Sequence, residues 1–265
     1  MPSSSASARL GEASSPTREI PLNEVAYGVH FVAPDFSVVH FGEYYDVIKG
    51  DYQQHQDVPP ILRNTGVPNQ LEMPQLPRVW FIRGSRLLQL QIDRLVYNWR
   101  HGTLGDVEGY PGFDALFPEF QREWLRFWEF SQRTFEIPLR LDALNLTYVN
   151  YIHPDESLTT PMFVFNESEW RRELPELEFW ASQFRFRFPD ENLGLSVAAR
   201  PAFRIATQES AASLEITLAA LDVPQIDDID AIFRWFYSAH AKVHWSFRSL
   251  VRPEWLAQWG FDEAD

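Results

Sequence analysis

The sequence predicts an α+β fold: one mostly antiparallel sheet, or two similar half-sheets, with two long amphipathic helices packed on one face. Three observations carry this. Several short runs alternate apolar and polar residues with a period of two, the pattern of half-buried strands. Two long segments repeat large apolar side chains at spacings of three and four, the pattern of helices with one buried face. The runs come in blocks of strands, helix, strands, helix, with short connections between most strand runs, which favours antiparallel pairing.

Order is expected to begin after a Ser/Ala/Pro-rich leader over 1–19 that lacks the apolar core of a signal peptide. Val25, Tyr27, Val29 and Phe31 then alternate in a strand that ends before Pro34. "SVVHFGEYYDVIKGDY" reads as a short helix, with Tyr45, Ile48 and Tyr52 on one side. Gln53 to Pro77, rich in Pro, Gln and Asn, reads as a long loop. "RVWFIRG" and "SRLLQLQIDRLVYNWR" follow, joined at Gly84-Ser85, a two-residue hairpin signal. In the second of these, Leu88 and Leu90 alternate with Gln89, Gln91 and Asp93. The phase then flips, so that Leu95, Tyr97 and Trp99 are apolar and Arg94, Asn98 and Arg100 lie opposite. A β-bulge is the simplest account of that flip, and it sets the two polar groups on different faces.

A helix is expected from about Phe117-Pro118, its stripe running Phe120, Trp124, Phe127 and Ser131, widened by Phe117, Trp128 and Phe135. Leu144, Leu146 and Tyr148 mark the next strand. The second half brings three more strand runs, "SQFRFRFP", "ENLGLSVAAR" and "SLEITLAALDV", and then a long helix. Its stripe is Ile229, Phe233, Phe236, His240, Val243, Phe247 and Leu250, with Asp227 or Asp228 as N-cap and Asp230 suited to the helix dipole. The chain therefore divides into a leader (1–19), a β-α-β-β-α-β half (20–155) and a β-β-β-α half (156–265). The halves form one compact unit and could be diverged copies of one strand-hairpin-helix unit.

Composition narrows the function classes. The 265 residues include ten Trp and twenty-one Phe, ample for a real core and for contact surfaces. The net charge of −14 repels phosphate backbones and disfavours nucleic-acid binding. With no cysteine, disulfides, thiolate nucleophiles and Cys-ligated zinc are excluded. No apolar run is long enough to span a membrane. These features fit a cytoplasmic protein. Neither a nucleophile-elbow motif nor a phosphate-cradling glycine loop is present, so no cofactor and no catalysis are expected.

"PLNEVAYGVHF", "QLQIDRLVYNWR", "YPGFDALFPEF", "LTYVNYI" and "SAHAKVHWSFRSLV" with a following "WG" together resemble a sporadically distributed bacterial protein family of unknown function, across roughly 21–260. The resemblance implies no established activity. Its scattered occurrence is similar to that of toxin–antitoxin and phage-defence genes, which implies an antitoxin-like or phage-defence-associated role.

Two groups of candidate binding residues remain. Gln89, Gln91, Asp93, Arg94, Asn98 and Arg100, followed by His101, form a dense polar set among large apolar groups. It is either a buried structural network or a contact surface for a ligand or partner. His240 and His244 share a helix face at metal-ligand spacing, but no glutamate follows His240 and no third ligand is evident, so no metal is expected. The leading expectation is a non-enzymatic binding or regulatory protein acting through protein contacts; a separate option is a structural self-associating protein, a homodimer through the aromatic helix faces. The rival is a small-molecule binder or enzyme with a pocket between sheet and helices, in which Gln89, Gln91, Arg94 and His240 would converge.

Overall fold

The computed structural model describes residues 21–61, 78–102, 109–152, 182–204, 209–224, 228–259 and 261. The expected leader, most of the 53–77 loop, Asp227 and the opening of the second half lie outside the described residues. The elements are β1 (Leu22–Val32), α1 (Val38–Ile48), β2 (Gln54–Val58), β3 (Arg78–Arg83), β4 (Arg86–Gln91) and β5 (Arg94–Arg100), followed by α2 (Phe113–Thr134) and β6 (Arg140–Ile152). The rest are β7 (Ser182–Phe188), β8 (Leu193–Arg204), β9 (Glu209–Ala220), α3 (Ile229–Leu250) and α4 (Pro253–Gln258). The strands form one nine-stranded sheet in the order β2-β3-β4-β5-β1-β6-β9-β8-β7, every pairing antiparallel. The fold is α+β, with the long helices on one face.

The period-two pattern places one apolar row across this sheet. Phe81, Leu88, Tyr97, Tyr27, Leu146, Leu218, Leu195 and Phe186 are successive cross-strand partners. The six inner members are buried. Above the row's centre, Phe120 of α2 stacks on Tyr27 at 5.0 Å, and Phe236 of α3 meets Phe120 edge-on at 4.8 Å. Each such aromatic pair adds about 0.5–1.5 kcal/mol beyond its buried area. On the flank, Tyr44 of α1 packs edge-on against Phe127 of α2 at 5.2 Å. The core takes up the apolar faces of both long helices, so a homodimer would need another surface.

Four expectations need correction. The flip at Asp93-Arg94 is a hairpin turn at Ile92-Asp93 rather than a bulge, because Gln91 pairs directly with Arg94 and Gln89 with Val96. Gln89 and Gln91 therefore share a face with Arg94, Asn98 and Arg100 instead of opposing them. Within the expected loop, Gln54–Val58 pairs with β3 as an edge strand. Being exposed, it shows no apolar alternation. Helix α2 starts one turn early at Phe113, whose ring stacks on Phe117 at 4.9 Å, so packing draws that turn into the helix and Pro118 sits inside it. Helix α3 buries Ile232, Phe236, Ala239, Val243, Ser246 and Phe247. Part of the expected stripe turns to α2, with Phe233 5.9 Å from Phe117. At its N-terminus the Asp228 carboxylate accepts from the Ala231 amide at 2.9 Å.

The strand order reads symmetrically about the β1–β6 pair. A strand, a three-strand meander and a helix of 22 residues occur twice, as β1, β3-β4-β5 and α2, then as β6, β7-β8-β9 and α3. Tyr27 and Leu146 are the pivot. The repeat divides between α2 and β6, so β6 (Arg140–Ile152) opens the second unit and does not close the 20–155 half as expected.

At the centre of the helix-free face, Asn145 lies across Gly28 to hydrogen-bond His30 Nε2 at 3.1 Å. A Cβ on Gly28 would stand 1.9 Å from Asn145 Oδ1. Gly28→Ala is expected to cost about 1–3 kcal/mol in urea unfolding. In an Asn145→Ala background most of that cost should vanish. Equal costs in both backgrounds would show that the obstruction lies elsewhere.

Candidate functional site

The hairpin register gathers six of the predicted site residues on the face that carries no helix among the described residues. Gln89 is the hub. Its Nε2 donates to Asn98 Oδ1 at 2.6 Å, and its Oε1 accepts from Arg78 Nη1 at 2.9 Å and from Trp80 Nε1 at 3.0 Å. Asn98 passes the chain on, its Nδ2 donating to Glu24 Oε1 at 2.5 Å, while Glu24 Oε2 accepts from Arg100 Nη2 at 2.8 Å. At the turn, Asp93 takes both Nε and Nη2 of Arg94, at 2.9 and 3.0 Å, and accepts from Gln91 at 3.1 Å. Gln91 also exchanges two hydrogen bonds with the Ile61 backbone, at 2.9 and 3.1 Å, which ties the chain after β2 over this end of the face. Gln89, Gln91, Arg94 and Asn98 are buried. The set forms two hydrogen-bonded groups, one around Gln89, Asn98 and Glu24 and one around Gln91, Asp93 and Arg94, and each amide has partners, as buried polar groups require. Arg78, Trp80 and Glu24 belong to it although sequence reasoning missed them. They lie on other strands, and only cross-strand register reveals them.

The remaining candidates lie elsewhere. His101 sits at the sheet end, its ring 6.3 Å from Trp99 on the helix side. His240 and His244 are also on the helix side, so Gln89, Gln91, Arg94 and His240 do not converge on one cavity. The His240 ring stacks on Phe113 at 3.8 Å, and its Nδ1 hydrogen-bonds the Tyr148 hydroxyl at 3.0 Å. That hydroxyl also meets the Tyr110 hydroxyl at 3.2 Å. His244 approaches His240 edge-on, with ring centres 4.5 Å apart. Burial, then the neighbouring His244, pushes the His240 pKa down to about 4. Burial and the Arg248 guanidinium lower that of His244. Both rings are therefore neutral at pH 7. No group of three metal-ligating side chains occurs among the described residues.

Beside these groups lies a cavity of about 80 Å³ between α3 and the sheet, walled by Leu22, Ile216, Val243, Phe247 and Phe261, with Tyr148 and His244 on its rim. One water needs roughly 10–15 Å³ on this measure, so the space suits only a small group.

A third cluster, also missed, ties α2 to the sheet. Glu119 accepts from the Tyr97 hydroxyl, from Arg83 at 3.1 Å and from Arg86 at 3.2 Å. Burial opposes its ionisation, but the Tyr97 hydroxyl and the two arginines outweigh that and hold its carboxyl below the usual range. One turn on, the fully buried Glu123 contacts Arg122 at 3.2 Å and Arg126 at 3.4 Å. Carboxylates four apart within an aromatic stripe were the available signal. These charges are mutually compensated, and the cluster acts as a clamp.

Fold and site define a class: an open antiparallel α+β sheet protein with helices on one face and a hydrogen-bonded polar network on the other. No protein-family model matches the chain, and no curated protein matches it. No described helix is long and apolar enough to cross a membrane.

The His240 geometry predicts a pH effect. The imidazole titrates at the ordinary 6.5 in the unfolded chain and at about 4 in the fold, so between these values the unfolded state binds more protons. Its contribution to stability is full above pH 6.5 and is lost as pH falls toward 4. His240→Phe keeps a ring on Phe113 and removes the proton. Urea unfolding of this variant should lose less stability over that interval than the wild type, whereas parallel pH profiles would show that His240 does not titrate this way.

Proposed function

We propose that the protein is a non-catalytic binding protein that engages a protein partner along the outer side of α3 and the adjoining strand β7. One observation supports this most: large aromatic side chains stand outside the core there. Tyr237 and Trp245 are 54% and 52% exposed, and Phe186 is 46% exposed. Trp245 meets Phe188 edge-on at 5.9 Å, and the Lys242 ammonium lies 4.7 Å from the centre of each of these two rings. Exposed aromatics beside a cation are the residue types that anchor interfaces. An antitoxin-like or phage-defence-associated role draws on the sequence resemblance alone. The residues on either face add nothing to it.

A second reading draws on the cavity under α3. Its apolar walls, with the hydrogen-bonded Tyr110 and Tyr148 hydroxyls and His244 also lining it, suit a small, mostly apolar ligand with one hydrogen-bonding group.

Native mass spectrometry of the protein from its own host separates the two. The partner reading expects a stoichiometric second polypeptide, lost in Trp245→Glu and retained in Val243→Phe. A bare chain carrying an extra small mass, lost in Val243→Phe, would select the cavity instead. A bare chain with no added mass would count against both.

A further inference from the structure

Arg78 opens β3 on the polar face and differs from the other arginines there. Arg94 has Asp93 and Arg100 has Glu24, each at hydrogen-bond distance. Among the described residues Arg78 has no carboxylate at hydrogen-bond distance. Its Nη1 donates to the neutral Gln89, its Nε is buried without an acceptor, and its Nη2 makes no hydrogen bond to a described residue. Burial, then Arg100 and Arg94, lowers the Arg78 pKa, and Glu24 offsets this only in part. The guanidinium carbons of Arg78 and Arg100 stand 5.4 and 5.3 Å from the centre of the Trp80 ring. The corner thus holds a partly buried cation, two neighbouring cations, a flat aromatic wall and an Nη2 group with no hydrogen-bond partner among the described residues. On a chain of net charge −14 this is a local reversal of sign.

The duplicated unit supplies an internal control. Counting from the shared apolar row, the second half has Gln183, Ser196 and Ala219 where the first half has Arg78, Gln89 and Asn98. The fold is built there with small or neutral side chains. An uncompensated cation weakens a structure, and such violations of packing logic mark functional positions.

We propose that Arg78, with Trp80 and Arg100, is a receptor for an oxyanion, a carboxylate or phosphate group taken by the Nη2 end of the Arg78 fork. Gln89 fixes the other end of the fork and so aims it. Trp80 shields the pair from water on one side, which strengthens the interaction. This site is independent of the α3 and β7 surface and lies across the sheet from it.

The test is thermal unfolding of the full chain with inorganic phosphate or with acetate, against chloride at matched ionic strength. The wild type is expected to show a saturable rise in Tm with one of the two. Phosphate alone would name a phosphate ligand, and acetate alone a carboxylate. Exclusion of salt from the surface raises Tm without saturation in every variant, so the difference between variants is the readout. Arg78→Met is expected to melt higher than the wild type in chloride, because it removes an unneutralised cation and keeps the stem, and to lose the saturable rise. Arg78→Lys keeps the charge but not the fork, and should raise the half-maximal anion concentration at least tenfold. Absence of a saturable rise in the wild type, or an unchanged rise in either variant, overturns the proposal.

Discussion

Everything in this molecule depends on a single apolar row meeting an aromatic layer. The row crosses eight strands through Tyr97, Tyr27 and Leu146, and Phe120 and Phe236 close over its middle. Because side chains alternate along a strand, fixing that row also fixes which residues face the other way. The polar network on the far side is therefore a consequence of core register. A slip of one residue in β4 or β5 would bury glutamine under α2 and expose leucine, and the cost of that exchange holds Gln89 opposite its partners.

The same alternation explains how much could be read from the residues alone. The class, the antiparallel pairing and both long helices follow from periods of two and 3.6. The hairpin at Gly84 is legible because glycine supplies the left-handed conformation, at φ 55°. The hairpin at Ile92-Asp93 is not, because its residues keep negative φ and carry no glycine or asparagine signal. Edge strand β2 is invisible to hydrophobic patterning because neither of its faces is buried. The candidate residues 89–100 were findable as an unusual polar density. Their partners Arg78, Trp80 and Glu24 were not, since sequence holds no local trace of a hydrogen bond such as Arg100 to Glu24 across 76 residues. For the same reason the pairing of His240 with Tyr148, 92 residues apart, emerges only in three dimensions.

The two faces divide the chemistry. On the helix side, ionisable groups are either matched, as Glu119 is by Tyr97, Arg83 and Arg86, or held neutral, as His240 is by burial. On the other side the amides are satisfied, yet among the described residues the Arg78 guanidinium has no carboxylate at hydrogen-bond distance. The proposed anion site and the proposed partner surface therefore lie apart from the aromatic core, and Arg78 and the outer side of α3 share no contact among the described residues.

The position of β1 has a consequence for how the chain reaches this state. Of the described strands it is the first made, and its neighbours β5 and β6 arrive much later, as the 76 residues between Glu24 and Arg100 and the 115 between His30 and Asn145 show. During synthesis β1 must wait, first for one partner and then for the other. Until β6 emerges, the nascent N-terminal half carries an open edge on what becomes the most central strand, with Tyr27 only partly covered. Such topology makes for slow assembly and a vulnerable interval on the ribosome, when unpaired strand edges invite wrong partners.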